Sequence, residues 1–367
     1  MKKTPLYQQH LNLGGRMVEF AGWALPIEYK SSLLEAKACR TTCGIFDASH
    51  MGEIELSGSE VLPFIQKLLS NDLSLIIPGQ MQYNLVINSR GGVIDDCMVY
   101  RLKDSFLCVV NASNKDKVLA WFNKNIQGGV KVTDRSDEFA LLSLQGPKAY
   151  QIIADCLGSE AVNLDYMHFL QGESSGKHYL LSRSGYTGED GFEFYVPCND
   201  AVFWWDEFFQ KGKKSGITPC GLGSRDILRI EVGYPLYGHE LNDDINPYEA
   251  VLGWAVKLDK EFLGKKEIAR VKKEGLAKQR VGFVMEERSM PRQGYPVYCE
   301  GKVAGEVSSG TFSPNLDKFI GMAYLDKARC GLGTEIKIKI RDKFYRAKVA
   351  KFPFVTPKTK KLANQGV

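Results

Sequence analysis

The chain has 367 residues, 44% of them hydrophobic and 25% charged, with 36 Gly and 14 Pro. That composition excludes disordered, collagen-like and disulfide-scaffold classes, and the length exceeds the roughly 250–300 residues at which single cores stop growing, so at least two cores are expected. The net charge of +5 hides an asymmetry, with +13 from residue 254 onward and −8 over residues 1–253, which predicts separate modules, the basic one facing either an acidic partner or solvent.

In chain order, Gly52-Glu-Ile-Glu-Leu-Ser-Gly58 alternates apolar and acidic residues as a strand does, and Val61 to Leu69 has helical apolar spacing. Gly91-Gly-Val-Ile-Asp-Asp-Cys-Met-Val-Tyr100 places two carboxylates inside an apolar, β-branched run. Neighbouring strand residues face opposite ways, so Asp95 and Asp96 cannot share one role. One is expected at a turn or in solvent and the other in an apolar setting, where a carboxylate needs a partner or a job. The residues alone do not choose between them.

Leu141 to Leu144 reads as a strand, and Gln145-Gly-Pro-Lys148 turns it into a helix over 149–157, with Gly158 as a left-handed cap. Strands are predicted at Tyr179–Arg183 and Phe192–Val196, with a glycine-rich turn between them. Glu193 is the lone charge of the second strand; its two oxygens could accept parallel hydrogen bonds from a ligand edge, or it could face solvent. In Cys220-Gly-Leu-Gly-Ser-Arg-Asp226, Ser224 is a candidate helix cap. Arg225 could meet a ligand carboxylate or carbonyl, or pair with Asp226.

Lys265 to Lys278 suggests a connecting helix. Beyond it lie a hairpin turning at Glu300-Gly301 and a strict alternation at Ile336, Ile338 and Ile340, which suggest a small antiparallel barrel or sandwich.

Other classes are absent. No apolar run reaches the ~20 residues of a membrane span, the N-terminus has no secretory or transit pattern, and no nucleic-acid motif appears; a cytoplasmic protein is expected. The nine scattered cysteines predict free thiols, and the five histidines have no metal spacing. Ser49-His50 has no triad context, and His50 is read as structural. Gly221-Leu-Gly223 lacks the third glycine of a dinucleotide fingerprint.

Taken together, Lys3-Thr-Pro-Leu-Tyr7, Phe20-Ala-Gly-Trp23, Phe46-Asp-Ala-Ser-His-Met-Gly52, Asn71-Asp72, Gly91-Gly-Val-Ile-Asp-Asp96, Leu144-Gln-Gly-Pro-Lys148, Arg183-Ser-Gly-Tyr-Thr-Gly-Glu-Asp-Gly191, Gly221-Leu-Gly-Ser-Arg-Asp226, Leu236-Tyr-Gly238, Asn246-Pro247, Arg292-Gln-Gly-Tyr295 and Pro353-Phe354 resemble the aminomethyltransferase (T-protein) family of the glycine cleavage system. The resemblance spans nearly the whole chain. It implies an α+β fold with three domains in a cloverleaf around a central folate site. Residues 1–253 would hold two intertwined α+β domains, 254–279 the connection, and 280–367 an antiparallel β-barrel.

It implies transfer of the one-carbon unit of an aminomethyl group, carried on the lipoyl arm of the H-protein, to tetrahydrofolate. The products would be 5,10-methylenetetrahydrofolate, ammonia and dihydrolipoyl-protein, with no metal, and with the P-protein and L-protein as functional neighbours. Carried over by motif, Asp96 is the catalytic aspartate, Glu193 the pterin-binding carboxylate and Arg225 the family's arginine. Met51, Tyr83, Tyr166, Tyr186 and Tyr237 match pocket positions. A basic residue near the C-terminus corresponds to Lys360 or Lys361, and Ser224 stands where alanine is usual.

Two rivals share this fold. A folate-binding helper of iron–sulfur assembly carries a Lys-Gly-Cys-Tyr/Phe-Thr-Gly-Gln-Glu marker that this chain lacks. Folate-dependent demethylases depart from the Gly-Tyr-Thr-Gly-Glu-Asp-Gly segment, which is intact here.

Overall fold

The computed structural model describes residues 1–359, so Lys360 and Lys361 lie outside the described residues. The fold mixes helices with three sheets and one closed barrel. A small N-terminal sheet centres on Trp23–Glu28, flanked by Lys2–Lys3 and Arg16–Phe20.

An antiparallel sheet of five strands runs in the order Met81–Ile87, Val93–Arg101, Ser105–Val110, Gly52–Ser57, Lys131–Asp134. The short helix Val61–Gln66 and the helix Lys115–Lys124 contribute Val61, Phe64, Ile65, Val118 and Phe122 to its core, together with Ile54, Leu56 and Val99. The predicted helix to Leu69 stops at Gln66, where Gln66 turns its side chain to Asp72 and to the Leu73 amide.

A second sheet has six strands, Phe169–Ser174, Lys177–Ser182, Gly191–Pro197, Phe139–Gln145, Cys43–Asp47 and Ile217–Pro219. Helices Ala149–Leu157 and Ala201–Gly212 cover one face, burying Ile152, Ile153, Trp204, Trp205 and Phe208. Gly158 ends the first of these helices at φ 90°, ψ 160°. It is not the predicted left-handed cap, because the chain leaves in an extended direction open only to glycine.

The barrel closes through Lys278–Met285, Lys318–Asp326, Lys302–Ser313, Pro296–Cys299, Glu335–Ile340 and Lys343–Ala350, all antiparallel. Ile336 and Ile338 point into its core while Glu335 and Lys337 stay outside, as strict alternation requires. The hairpin turns at Glu300 and Gly301, both at positive φ, the signature of a tight two-residue turn matched to strand twist. The helix before the barrel runs Lys265–Glu274, ending at Gly275 rather than at Lys278.

Helix Leu222–Val232 is the joint between sheet and barrel. It is buried over most of its length, Arg229 and Glu231 included, so both charges need partners. Glu231 accepts from Arg40 Nη2 at 2.8 Å, Ser313 Oγ at 2.5 Å and Asn315 Nδ2 at 2.8 Å. Arg229 donates to Glu240 Oε2 and to Ser309 Oγ, each at 2.8 Å. The ion pairs lie within the body, and the barrel is fastened to them by hydrogen bonds from Ser313 and Asn315 to Glu231 and from Arg229 to Ser309. All nine cysteines are free, and six are buried.

Candidate active site

A cavity of about 1650 Å³ lies where the two larger sheets, helix Leu222–Val232 and the barrel meet. Asp96, Glu193, Arg225, Met51, Tyr83, Tyr166, Tyr186 and Tyr237 all line it. The structure therefore brings together every candidate named from the sequence within the described residues.

Asp96 comes from strand Val93–Arg101 and faces the cavity, whereas Asp95 is fully buried on the other side. Neither lies in a turn or in solvent, contrary to the expectation for one of them; the strand is an inner strand of its sheet, paired along both edges, and its Asp96 side opens on the cavity. Tyr83 donates its hydroxyl to Asp96 Oδ2 at 3.0 Å, and Asn111 Nδ2 donates to Oδ1 at 2.8 Å. Asn111 Nδ2 also reaches Asp95 Oδ1 at 2.8 Å. Asp95 accepts further from the Asn111 amide at 2.9 Å and from Asn114 Nδ2 at 2.6 Å. Burial, then the charge of Asp96, raise the Asp95 carboxyl above the usual aspartate value, against the pull of these amide donors. Burial likewise raises Asp96, opposed by its bonds to Tyr83 and Asn111.

Glu193 stands between buried Phe192 and Phe194 on the six-stranded sheet, and its side chain faces the cavity. Ser184 Oγ donates to its Oε2 at 2.5 Å, and burial raises its carboxyl, with Ser184 and then Arg225 acting the other way. The preceding turn owes its shape to glycine. A side chain on Gly185 would place Cβ 1.9 Å from Gln145 Oε1, and Gly188 combines φ +76° with Val232 Cγ1 at 2.3 Å.

Ser224 is not the helix cap. The helix begins at Leu222 with Gly221 at the cap position, and Ser224 Oγ donates back to the Gly221 carbonyl at 2.8 Å. Arg225 does not pair with Asp226, which instead meets Arg229 at 2.8 Å. The Arg225 guanidinium lies 4.8 Å from the ring centre of Tyr186. Among the described residues no carboxylate lies within ion-pair distance of it; burial holds its pKa below the usual arginine value. Tyr186 donates its hydroxyl to the Pro235 carbonyl. The Tyr237 hydroxyl accepts from Lys117 Nζ at 2.6 Å and donates to Asp243 Oδ2 at 3.1 Å.

Asn111, Trp254, Arg280, Arg292 and His50 also line the cavity and were not singled out as ligand contacts. Asn111 follows the apolar strand Ser105–Val110, and an amide ending such a run was the available signal. Arg292 sat inside a quoted motif, whereas nothing local marked Arg280 or Trp254. His50, read as structural, is buried with Nδ1 unpartnered, and burial and Arg225 lower its pKa to about 4, leaving the ring neutral near pH 7. Among the described residues no group of three His, Cys, Asp or Glu side chains is placed to hold a metal ion, and no helix is long and apolar enough to cross a membrane.

The cavity thus gathers the carboxylates of Asp96 and Glu193, four tyrosines named from the sequence, and Arg225, which has no carboxylate partner among the described residues. Residues 6–260 match the family described as the GCVT N-terminal domain, and residues 278–356 match the glycine cleavage T-protein C-terminal barrel domain. The chain is 45% identical over 358 residues to an aminomethyltransferase of Bacillus licheniformis, covering 96% of this chain and 98% of that one. It is 43% identical to an aminomethyltransferase of Bacillus subtilis, with 96% and 99% covered. The glycine cleavage system aminomethyltransferase T of Bartonella henselae superposes with a TM-score of 0.92 at 33% identity, over 98% of this chain and 99% of that one. The fold and the relatives thus define a transferase. The chain belongs to the aminomethyltransferase (T-protein) family of the glycine cleavage system.

Proposed function

We propose that the protein transfers the one-carbon unit of an aminomethyl group, borne on the lipoyl arm of the H-protein, to tetrahydrofolate. The sulfur–carbon bond of the arm and the carbon–nitrogen bond to the departing amine break, and two carbon–nitrogen bonds to folate form. The products are 5,10-methylenetetrahydrofolate, ammonia and the dihydrolipoyl arm. The P-protein and L-protein are its functional neighbours.

The observation that carries this reading is Asp96. Each of its oxygens receives one protein donor, from Tyr83 and Asn111, and a carboxylate has roughly four lone-pair sites. Acceptor capacity is therefore left toward the cavity, in an environment that raises its basicity.

The residues fit a folate. Glu193 Oε2 is taken by Ser184, and Oε1 has no protein donor among the described residues, so it is free for the N–H edge of a pterin. Arg225 is a cation without a protein counter-ion beside the flat ring of Tyr186, suited to a ligand carbonyl or carboxylate. Tetrahydrofolate supplies the nucleophilic nitrogens. Asp96 holds the arylamine N–H and accepts its proton, Tyr83 and Asn111 keep the carboxylate aimed, and Glu193 with Arg225 orients the ring system.

The test is ammonia release from aminomethylated H-protein. It should require tetrahydrofolate and match the methylene product in amount. Release that ignores folate would count against the assignment.

A further inference from the structure

Glu193 ends a chain of hydroxyls that the proposed chemistry leaves unused. Ser184 Oγ donates to Glu193 Oε2 at 2.5 Å and lies 3.0 Å from Ser182 Oγ. Ser182 Oγ is 3.1 Å from the Tyr100 hydroxyl, which is 3.0 Å from that of Tyr195. Ser184, Ser182, Tyr100 and Tyr195 are all buried. Ser184 and Tyr195 reach the cavity wall, whereas Ser182 and Tyr100 stand behind it.

Strand alternation brings these groups together. Asp96 and Tyr100 lie on one face of strand Val93–Arg101, and Glu193 and Tyr195 on one face of Gly191–Pro197. Ser182 is paired with Glu193 across the neighbouring strand Lys177–Ser182, and Ser184 follows just beyond its end. The rings of Tyr100 and Tyr195 meet edge to face, with centroids 5.6 Å apart. The two phenols therefore join the sheet of Asp96 to the sheet of Glu193.

Each hydroxyl has one proton to give. With Glu193 ionised, Ser184 must supply the proton of their bond, and Ser182 that of the bond between the serines. Tyr100 must then supply the proton of its bond to Ser182, and Tyr195 that of its bond to Tyr100. Every link points at the carboxylate. A hydroxyl that accepts a hydrogen bond donates more strongly, so each link strengthens the next. Ser182 Oγ also approaches the Glu193 carbonyl, at 3.4 Å, but serving it would withdraw the proton from Ser184. Resting on the reading of Glu193 as the carboxylate that takes the pterin edge, we infer that Tyr100 and Ser182 are positioning residues: they commit the Ser184 proton to Oε2 and so hold Glu193 as an anion whose Oε1 serves the ligand.

The surrounding charges agree. Burial raises the Glu193 carboxyl, and the Ser184 bond, then Arg225, oppose it. The phenols of Tyr100, Tyr166 and Tyr195 also border Glu193 electrostatically, but burial holds all three above the usual tyrosine range. Arg225 stays cationic, so Glu193 is the group here that titrates on acidification.

The experiment titrates tetrahydrofolate into the full chain across a range of pH, comparing wild type with Tyr100→Phe, Ser182→Ala, Glu193→Gln and the double variant Tyr100→Phe with Glu193→Gln. Tyr100→Phe keeps the ring and removes one link. On the acid side its Kd should be about three- to tenfold weaker than wild type, the size of one lost hydrogen bond, and the two should converge as pH rises. With less donation Glu193 takes up its proton at higher pH, so the binding anion is lost sooner on acidification. The ratio of the two constants cancels the ligand's own protonation. Ser182→Ala should give the same pattern, and kcat at saturating folate should stay within about twofold in both. In the Glu193→Gln background, Tyr100→Phe should change Kd by less than about twofold.

An unchanged Kd in Tyr100→Phe and Ser182→Ala overturns the inference. So does a weakening that is equal at every pH, or one that persists in the Glu193→Gln background, since either makes the hydroxyls a matter of packing. If Glu193→Gln alone leaves Kd unaltered, the reading of Glu193 falls, and this inference with it.

Discussion

Asp95 and Asp96 face opposite sides of one strand, yet a single side-chain amide, that of Asn111, donates to an oxygen of each at 2.8 Å. The buried carboxylate is therefore part of the mounting of the exposed-face one. Asp95 gathers donors from Asn111 N on one oxygen and from Asn111 Nδ2 and Asn114 Nδ2 on the other, so an amide in its place would set its NH2 against the Asn111 backbone N–H or against both side-chain NH2 groups.

Asp95→Asn should consequently do more than a distant neutral change. Leaving one or two buried donors unsatisfied costs about 1–3 kcal/mol each, and Asn111 should lose its alignment on Asp96. The expected result is a lowered midpoint in denaturant unfolding together with a reduced kcat. Unchanged stability would show that Asp95 is not held in this network.

Glu193→Gln should weaken tetrahydrofolate binding rather than the chemical step. The amide offers one acceptor and one donor in place of two acceptors, and with its oxygen kept on Ser184 its NH2 is aimed at the ligand. Loss of a charged hydrogen bond costs about 1.5–3 kcal/mol, roughly a ten- to hundredfold weaker Kd. Titration calorimetry measures it, and an unaltered Kd would return Glu193 to an ordinary strand residue.

Arg225→Met separates function from stability. The guanidinium is desolvated without a carboxylate partner, so replacing it by an apolar side chain of similar length relieves that cost while removing a ligand contact. Thermal unfolding should show a Tm equal to or above wild type, with folate affinity lowered at least about tenfold. A large drop in Tm would mean that Arg225 is structural.

How far the fold was legible depended on the range of the cause. The hairpin at Glu300-Gly301 and the alternation at Ile336 and Ile338 are local patterns, and both appear where expected. Ser224 was misplaced because the helix start is decided by Gly221. There an added Cβ would lie 2.4 Å from the Ile27 carbonyl oxygen, a contact between segments far apart in the chain. The direction of Asp96 was not readable from alternation alone, which says that two residues face oppositely but not which side holds the cavity. The resemblance supplied that choice. Asn111 and Trp254 escaped because their meaning lies in tertiary contacts, with Asp96 and with Tyr83.

Glu231 joins the body to the barrel. Its replacement by Ala strands Arg40 with one remaining carboxylate, Glu189 at 3.1 Å, and frees Ser313 and Asn315. Breaking a buried pair costs about 3–5 kcal/mol, and the surviving Glu189 contact places the expected loss near the lower end. Denaturant unfolding of the full chain measures it. A change under about 0.5 kcal/mol, typical of surface sites, would refute the joint.

The central claim is that the Asp96 carboxylate takes the proton as the carbon–nitrogen bond forms, and a single-turnover comparison of wild type with Asp96→Asn tests it most directly. Aminomethylated H-protein and tetrahydrofolate are mixed with excess enzyme, ammonia is followed in time, and folate affinity is titrated separately. General-base participation is worth about 10²–10⁴-fold, so the variant should lose that much in rate while its folate Kd stays within a few-fold. In wild type the rate should fall as pH drops through a value above the ordinary carboxylate range. Burial raises this group, so the working anion is protonated sooner on acidification. Full single-turnover activity in Asp96→Asn, or a loss explained wholly by folate affinity, would contradict the account.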